Sequence, residues 1–105
     1  MFQLRTYTLR SAEALDRYAA IHWTRHIASL EAFGVGTRGI WTSRDGGENR
    51  LFALVSYENG ADPAKVETEY MASTAFADDM AEFDPHDILD VTSVLLDPTA
   101  SSPIR

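Results

Sequence analysis

From residue 2 to residue 96 the apolar side chains switch between a period of two and a period near 3.6, and this order limits the fold more than any single motif. "FQLRTYTL" (2–9) is rich in β-branched and aromatic residues and predicts a strand. Ser11 then stands where a helix needs an N-cap, with Glu13 in the electropositive first turn. Leu15, Ala19, Trp23, Leu30 and Phe33 fall on one helical stripe, opposite Arg17, Ala20, Thr24, Ala28 and Glu31, and Gly34 is the expected stop. "VGTRGIWTS" (35–43) and "RLFALVSYE" (50–58) predict two strands joined by a hairpin turn in "RDGGEN". Asp62 and Pro63 open a second helical region as cap and first residue, and Ser73 or Thr74 caps a second piece of it. Phe76, Met80 and Phe83 line one face of that piece until "FDP" (83–85) ends it. "ILDVTSVLL" (88–96) is the last strand, and a polar tail expected to be extended or frayed follows (99–105).

The order β-α-β-β-α-β predicts an α+β, ferredoxin-like domain over residues 1–98, with a four-stranded antiparallel sheet and helices on one face. "LFALV" and the later "VLL" are apolar at both parities, so both faces of the sheet call for cover. Two short helical regions cover one face. The simplest cover for the other is a second copy, which predicts a homodimer with its sheets face to face, a dimeric α/β barrel. A chain of 105 residues holds one such domain, and 45% apolar residues set it apart from disordered chains.

A net charge of −7 argues against nucleic acid and against an anionic membrane surface, because both need clustered Lys and Arg. The basic residues, eight Arg and Lys65, are scattered. The absence of cysteine excludes disulfides, thiolate metal sites and a cysteine nucleophile. No run approaches the ~20 apolar residues of a membrane span. "MFQLRTYTLR" lacks the apolar core of a signal peptide, so the expected location is cytoplasmic.

"LRTYTL", "GIWTS…N" and "YMASTAFADDMAEFD" resemble the NIPSNAP family, over residues 2 to 98. That family belongs to the dimeric α/β-barrel superfamily. The resemblance implies a compact dimer with a pocket between each subunit's sheet and helices. The superfamily includes cofactor-free oxygenases, polyketide cyclases and haem-degrading enzymes. A haem site is not expected, because the second helical region, where haem-degrading relatives place their ligand, contains no histidine.

The candidate chemistry centres on "IHWTRHI" (21–27). His22 and His26 fall inside the apolar stripe, with Tyr18 and Ser29 at its edge, so both imidazoles are expected to face the sheet. In a cavity, burial and mutual repulsion would tune them for taking a proton from a bound substrate; in a filled core they would only satisfy backbone carbonyls. As a metal pair they are weak. The H-x-x-x-H protease signature carries Glu after the first histidine, where this chain has Trp23, so no metal is expected. Strand alternation puts Arg5 and Tyr7 on one face, where an arginine fork beside a phenol can hold a carboxylate, an enolate or a phenolate. The alternative is an acidic partner for Arg5 across the dimer interface. Trp41 and Tyr57 either wall the pocket or fill the dimer core, and Tyr70 and Met71 belong at a pocket mouth. Glu67, Glu69, Asp78, Asp79 and Glu82 read as a solvated face, and His86 as an exposed loop residue. "GVGTRG" (34–39) matches the dinucleotide fingerprint, but its glycines close a helix and open a strand, the reverse of what a pyrophosphate needs.

These readings predict a homodimer that binds a small apolar, polyketide-like metabolite. As an enzyme it would be cofactor-independent and transfer protons in a cyclisation, isomerisation or oxygenation. His22 or His26 would be the base, Tyr18 and Arg5 would orient substrate or hold charge, and Tyr7, Trp23, Trp41, Tyr57, Tyr70 and Met71 would bind it. The rival is a non-catalytic binding or protein-interaction module.

Overall fold

The computed structural model describes residues 1–43 and 45–105. At its centre lies β1 (Phe2–Leu9), hydrogen-bonded on both sides, antiparallel to β3 (Asn49–Tyr57) and to β4 (Ile88–Leu96). β2 (Val35–Thr42) pairs with the outer edge of β3, giving the order β2-β3-β1-β4. This is the expected antiparallel, ferredoxin-like sheet. In the hairpin turn "RDGGEN", Arg44 lies outside the described residues, and on either side of the turn Thr42 faces Leu51.

The first helical region begins as α1 (Ala12–Arg17), where Ser11 accepts from the Ala14 N–H at 3.0 Å. It passes through a π-helical turn (Tyr18–His22) into α2 (Trp23–Ala32). In that turn the Trp23 N–H reaches back to the Tyr18 carbonyl, five residues away. The inserted residue rotates the helix about its axis. Tyr18, His22, Trp23, His26 and Leu30 are therefore all buried. Ala19 and Phe33, expected on the inner stripe, are only half-buried.

α3 (Pro63–Met71) is capped by Asp62, which accepts from the Ala64 and Lys65 N–H groups, and α4 (Thr74–Asp79) by Ser73, which accepts from Phe76. The expectation that this helix runs on to Phe83 is corrected: α4 ends at Asp79. Side chains of the first helical region occupy the carbonyls beyond that point. His22 Nδ1 donates to the Asp79 carbonyl at 2.8 Å, Arg25 reaches the Asp79 and Ala81 carbonyls, and Arg17 the Glu82 carbonyl. Those carbonyls have no partner within a helix, and cations at a helix C-terminus are favourable. Glu82, at φ 69°, then reverses the chain. Phe83 arrives from the other direction and packs on His22 and Tyr18, with ring centres 4.8 and 5.3 Å away.

The core lies beneath the helices, where Leu9, Leu51, Ala53 and Val55 meet Trp23 and Leu30. The opposite face is apolar as well, with Leu4, Phe52 and Leu54 half-buried and Trp41, Val94 and Leu96 exposed. Past β4 the tail is not extended: the Ser102 N–H closes a turn on the Thr99 carbonyl, and the segment lies beside Phe2 and Leu54. Among the described residues no helix is long and apolar enough to cross a membrane.

Candidate functional site

A cavity of about 230 Å³ lies between the helix-covered face of β1 and β4 and the helices above it. β1 contributes Arg5 and Tyr7, two residues apart on one face of the strand. The first helical region contributes Tyr18, Trp23, His26 and Leu30, brought into phase by the π turn. Glu67, Tyr70, Met71 and Phe76 close it from α3 and α4, with Met80 just past the end of α4. The walls are largely aromatic. Tyr7 meets Tyr18 edge to face at 5.2 Å, and His26 stacks on Phe76 at 6.0 Å with 12° between the planes.

Two polar clusters are built into these walls. In the first, the Tyr70 hydroxyl donates to Asp79 Oδ2 at 2.6 Å, and Ser29 donates to Asp79 Oδ1 at 3.0 Å. His26 Nδ1 stands 2.5 Å from the Tyr70 oxygen and 3.4 Å from Asp79 Oδ2. Tyr70 has one proton, and the carboxylate is its stronger acceptor. His26 Nδ1 must then carry hydrogen and donate to the phenol oxygen. This tautomer leaves the lone pair on Nε2, which has no hydrogen-bond partner among the described residues. Burial lowers the pKa of His26 to about 4, against the pull of Asp79 in the other direction, so the ring is neutral at pH 7. Burial, and then the bond to Asp79, raise Tyr70 well above the ordinary phenol range.

In the second cluster, Arg5 Nε donates to Gln3 Oε1 at 2.8 Å and Arg5 Nη2 to the Tyr57 hydroxyl at 2.8 Å; Tyr57 donates in turn to the same Gln3 oxygen at 2.9 Å. Burial opposes the guanidinium charge, yet the oxygens of Tyr7 and Tyr57 beside it outweigh that effect and hold its pKa above the usual value. Tyr7 and Tyr18 are both raised, chiefly by burial, so both are neutral hydroxyls. No Asp or Glu among the described residues forms an ion pair with Arg5, although its side chain is only 6% exposed.

The structure thus brings together Arg5, Tyr7, Tyr18, Trp23, His26 and Tyr70, with Met71, 56% exposed, at the rim. Three expectations are corrected. His22 does not line the cavity: it is fully buried behind it, its Nδ1 engaged with the Asp79 carbonyl. Trp41 projects from the opposite face of the sheet beside Phe52, its ring lying over Gly39, where an added Cβ would come within 2.3 Å of it. Tyr57 shares the helix-covered face but steadies Arg5 from behind without lining the cavity. Arg5 itself points under the helices, which removes the alternative of a partner across the open face. Asp79, assigned above to a solvated face, is 6% exposed and is the acceptor around which the His26 cluster is built. Its spacing of three from Phe76 and four from Phe83 was the available signal that it faced inward. Gln3, also missed, shares the parity of Arg5 and Tyr7. His86 is exposed, as expected.

The NIPSNAP family model matches residues 2–103. Comparison with curated proteins returns no match. Among solved structures, a NIPSNAP family protein of unknown function from Agrobacterium tumefaciens superposes with a TM-score of 0.79 at 18% identity, covering 99% of this chain and 92% of that one. An uncharacterized NIPSNAP domain protein from Burkholderia xenovorans gives 0.72 at 21% identity, covering 97% of each chain. An antibiotic biosynthesis monooxygenase gives 0.58 at 15% identity, covering 94% of this chain and 99% of that one. At these identities the structures are alike in fold alone, and it is the sequence match over almost the whole length that places the chain in the NIPSNAP family.

Proposed function

We propose that this protein is a homodimer in which each subunit binds a small, largely apolar, oxygen-bearing metabolite and moves a proton on it without a cofactor. The observation that carries this reading is His26, a neutral imidazole in an aromatic cavity whose Nδ1 is anchored on Tyr70 and Asp79 and whose Nε2 has no hydrogen-bond partner among the described residues. In an enolisable substrate, Nε2 takes a proton from the acidic C–H. The electron pair of that bond moves onto the carbonyl oxygen, giving an enolate that the Arg5 guanidinium stabilises. Asp79, acting across the Tyr70 hydrogen bond, stabilises the imidazolium. In a β,γ-unsaturated carbonyl compound the enolate is a dienolate, and return of the same proton to its γ carbon shifts the double bond into conjugation and completes an isomerisation. The fold shared with an antibiotic biosynthesis monooxygenase is in keeping with small-molecule chemistry.

Deuterium exchange of phenylacetone in buffered D2O, followed by proton NMR, tests the base. The protein is expected to accelerate exchange above buffer, and His26→Gln to remove about a hundredfold of that, the ordinary share of a positioned general base. Equal exchange with the wild type and His26→Gln would end the enzymatic reading and leave a binding module.

The dimer rests on the sheet face turned away from the helices, where beyond the tail Leu54, Phe52, Trp41, Val94 and Leu96 form an apolar surface that a second copy would bury. Light scattering is expected to give twice the chain mass for the wild type. Leu54→Asp, placed twice in a symmetric interface, is expected to raise the dimer Kd at least tenfold; a wild-type monomer at 100 μM refutes the dimer.

A further inference from the structure

Arg5 is a buried cation that the described protein leaves without an anion. The residue is 6% exposed, two of its N–H groups are taken by the oxygens of Gln3 and Tyr57, the Tyr7 hydroxyl lies beside it, and the residue lines the cavity. A buried charge is costly unless an opposite charge accompanies it. The donor balance of the cavity points the same way. Tyr7 and Tyr18 bring hydroxyls, and Trp23 keeps its buried indole N–H without a partner among the described residues. Glu67, half-buried on α3, is the one carboxylate lining the cavity among those residues, and it forms no ion pair with Arg5.

We propose that the natural ligand is a small aromatic carboxylic acid, bound as its monoanion, with its carboxylate on Arg5 and its ring among Tyr7, Tyr18, Trp23 and Phe76. The proposal rests on the cavity reading above and deepens it by naming the ligand class. The charge that arrives at Arg5 on binding is a carboxylate, beside which the enolate of the proton transfer then forms in the field of the same guanidinium. An enolate alone exists only after the proton has moved and would leave Arg5 uncompensated while substrate binds. A carboxylate arrives charged and matches the planar guanidinium fork. Size narrows the class further. About 230 Å³ lies below the roughly 300–1,000 Å³ typical of pockets for drug-sized ligands, so the cavity takes a single ring with a short side chain.

Isothermal titration calorimetry on the full chain at pH 7 tests this with phenylacetate and benzoate as anions, benzamide and benzyl alcohol as neutral counterparts, and pentafluorophenolate as an anion of different geometry. The expected result is that a carboxylate binds at least tenfold tighter than its neutral counterpart. Arg5→Gln is expected to abolish that preference and Arg5→Lys to retain part of it. Glu67→Gln, which touches neither cluster, is expected to tighten carboxylate binding severalfold and provides the test if the Arg5 variants do not fold. Equal affinity for benzoate and benzamide, a preference that survives Arg5→Gln, no tightening with Glu67→Gln, or binding of the phenolate but not the carboxylates would each overturn the carboxylate assignment while leaving the cavity reading intact. If none of the probes binds, both fail.

Discussion

Asp79→Ala is expected to destabilise the protein by about 3–5 kcal/mol, the range for removing one partner of a buried charged network. The carboxylate is 6% exposed and accepts from Tyr70 at 2.6 Å and from Ser29 at 3.0 Å, with His26 Nδ1 at 3.4 Å. Alanine leaves the Tyr70 hydroxyl only His26 Nδ1 to donate to, which forces the imidazole into its other tautomer, and takes from Ser29 the partner that holds it. Alanine is also the best helix former, so at the last residue of α4 the loss cannot be assigned to helix propensity. Asp79→Asn keeps an acceptor oxygen and is expected to cost less than half as much. Urea denaturation at pH 7 measures both. A loss below 1 kcal/mol for Asp79→Ala would mean that water reaches the carboxylate and that the His26 cluster is not a closed unit.

The same residue shows where a one-dimensional reading of this chain stops. Periodicity correctly placed the strands, the Asp62 and Ser73 caps, and Arg5 and Tyr7 on one face, because each depends on neighbours a few residues away. The helical phase did not follow from local pattern. The π turn at Tyr18–His22 adds a residue per turn, moving Tyr18 from the edge of the stripe to its centre and Ala19 outward. In β2 the register shifts between Thr37 and Gly39. Val35 and Thr37 face the helices, but past the bulge Gly39 and Trp41 face the other way, so simple alternation gives Trp41 the wrong side. Asp79 and His22 depend on contacts fifty or more residues apart, the Asp79 carbonyl on His22 and its carboxylate on Ser29 and His26. No local pattern carries those pairings, and they decide which histidine reaches the cavity.

Acidification is expected to remove about 3 kcal/mol of stability through His26 alone. Its folded pKa of about 4 lies below the ordinary 6.5, and that gap corresponds to about this much free energy. Between these two values the unfolded chain binds a proton that the native protein rejects, so protons pull the equilibrium toward unfolding. The contribution is complete above pH 6.5, falls as pH drops through the window, and changes no further below about 4, where both states are protonated. The groups around the ring act in both directions. Asp79 on α4 favours the imidazolium, whereas burial against Trp23, Phe76 and neutral Tyr70, with smaller effects from His22 and the Arg5 charge on β1, disfavours it. Other groups titrate in the same range, so the measurement is a comparison: urea midpoints of the wild type and His26→Gln at pH 7 and pH 4.5. Glutamine does not titrate there, so the variant is expected to escape most of the 3 kcal/mol loss. Parallel pH dependence in the two proteins would mean that His26 takes up its proton near pH 6.5 in the folded state. The ring would then be reached by solvent, and a neutral imidazole at the cavity wall would no longer be available as the base.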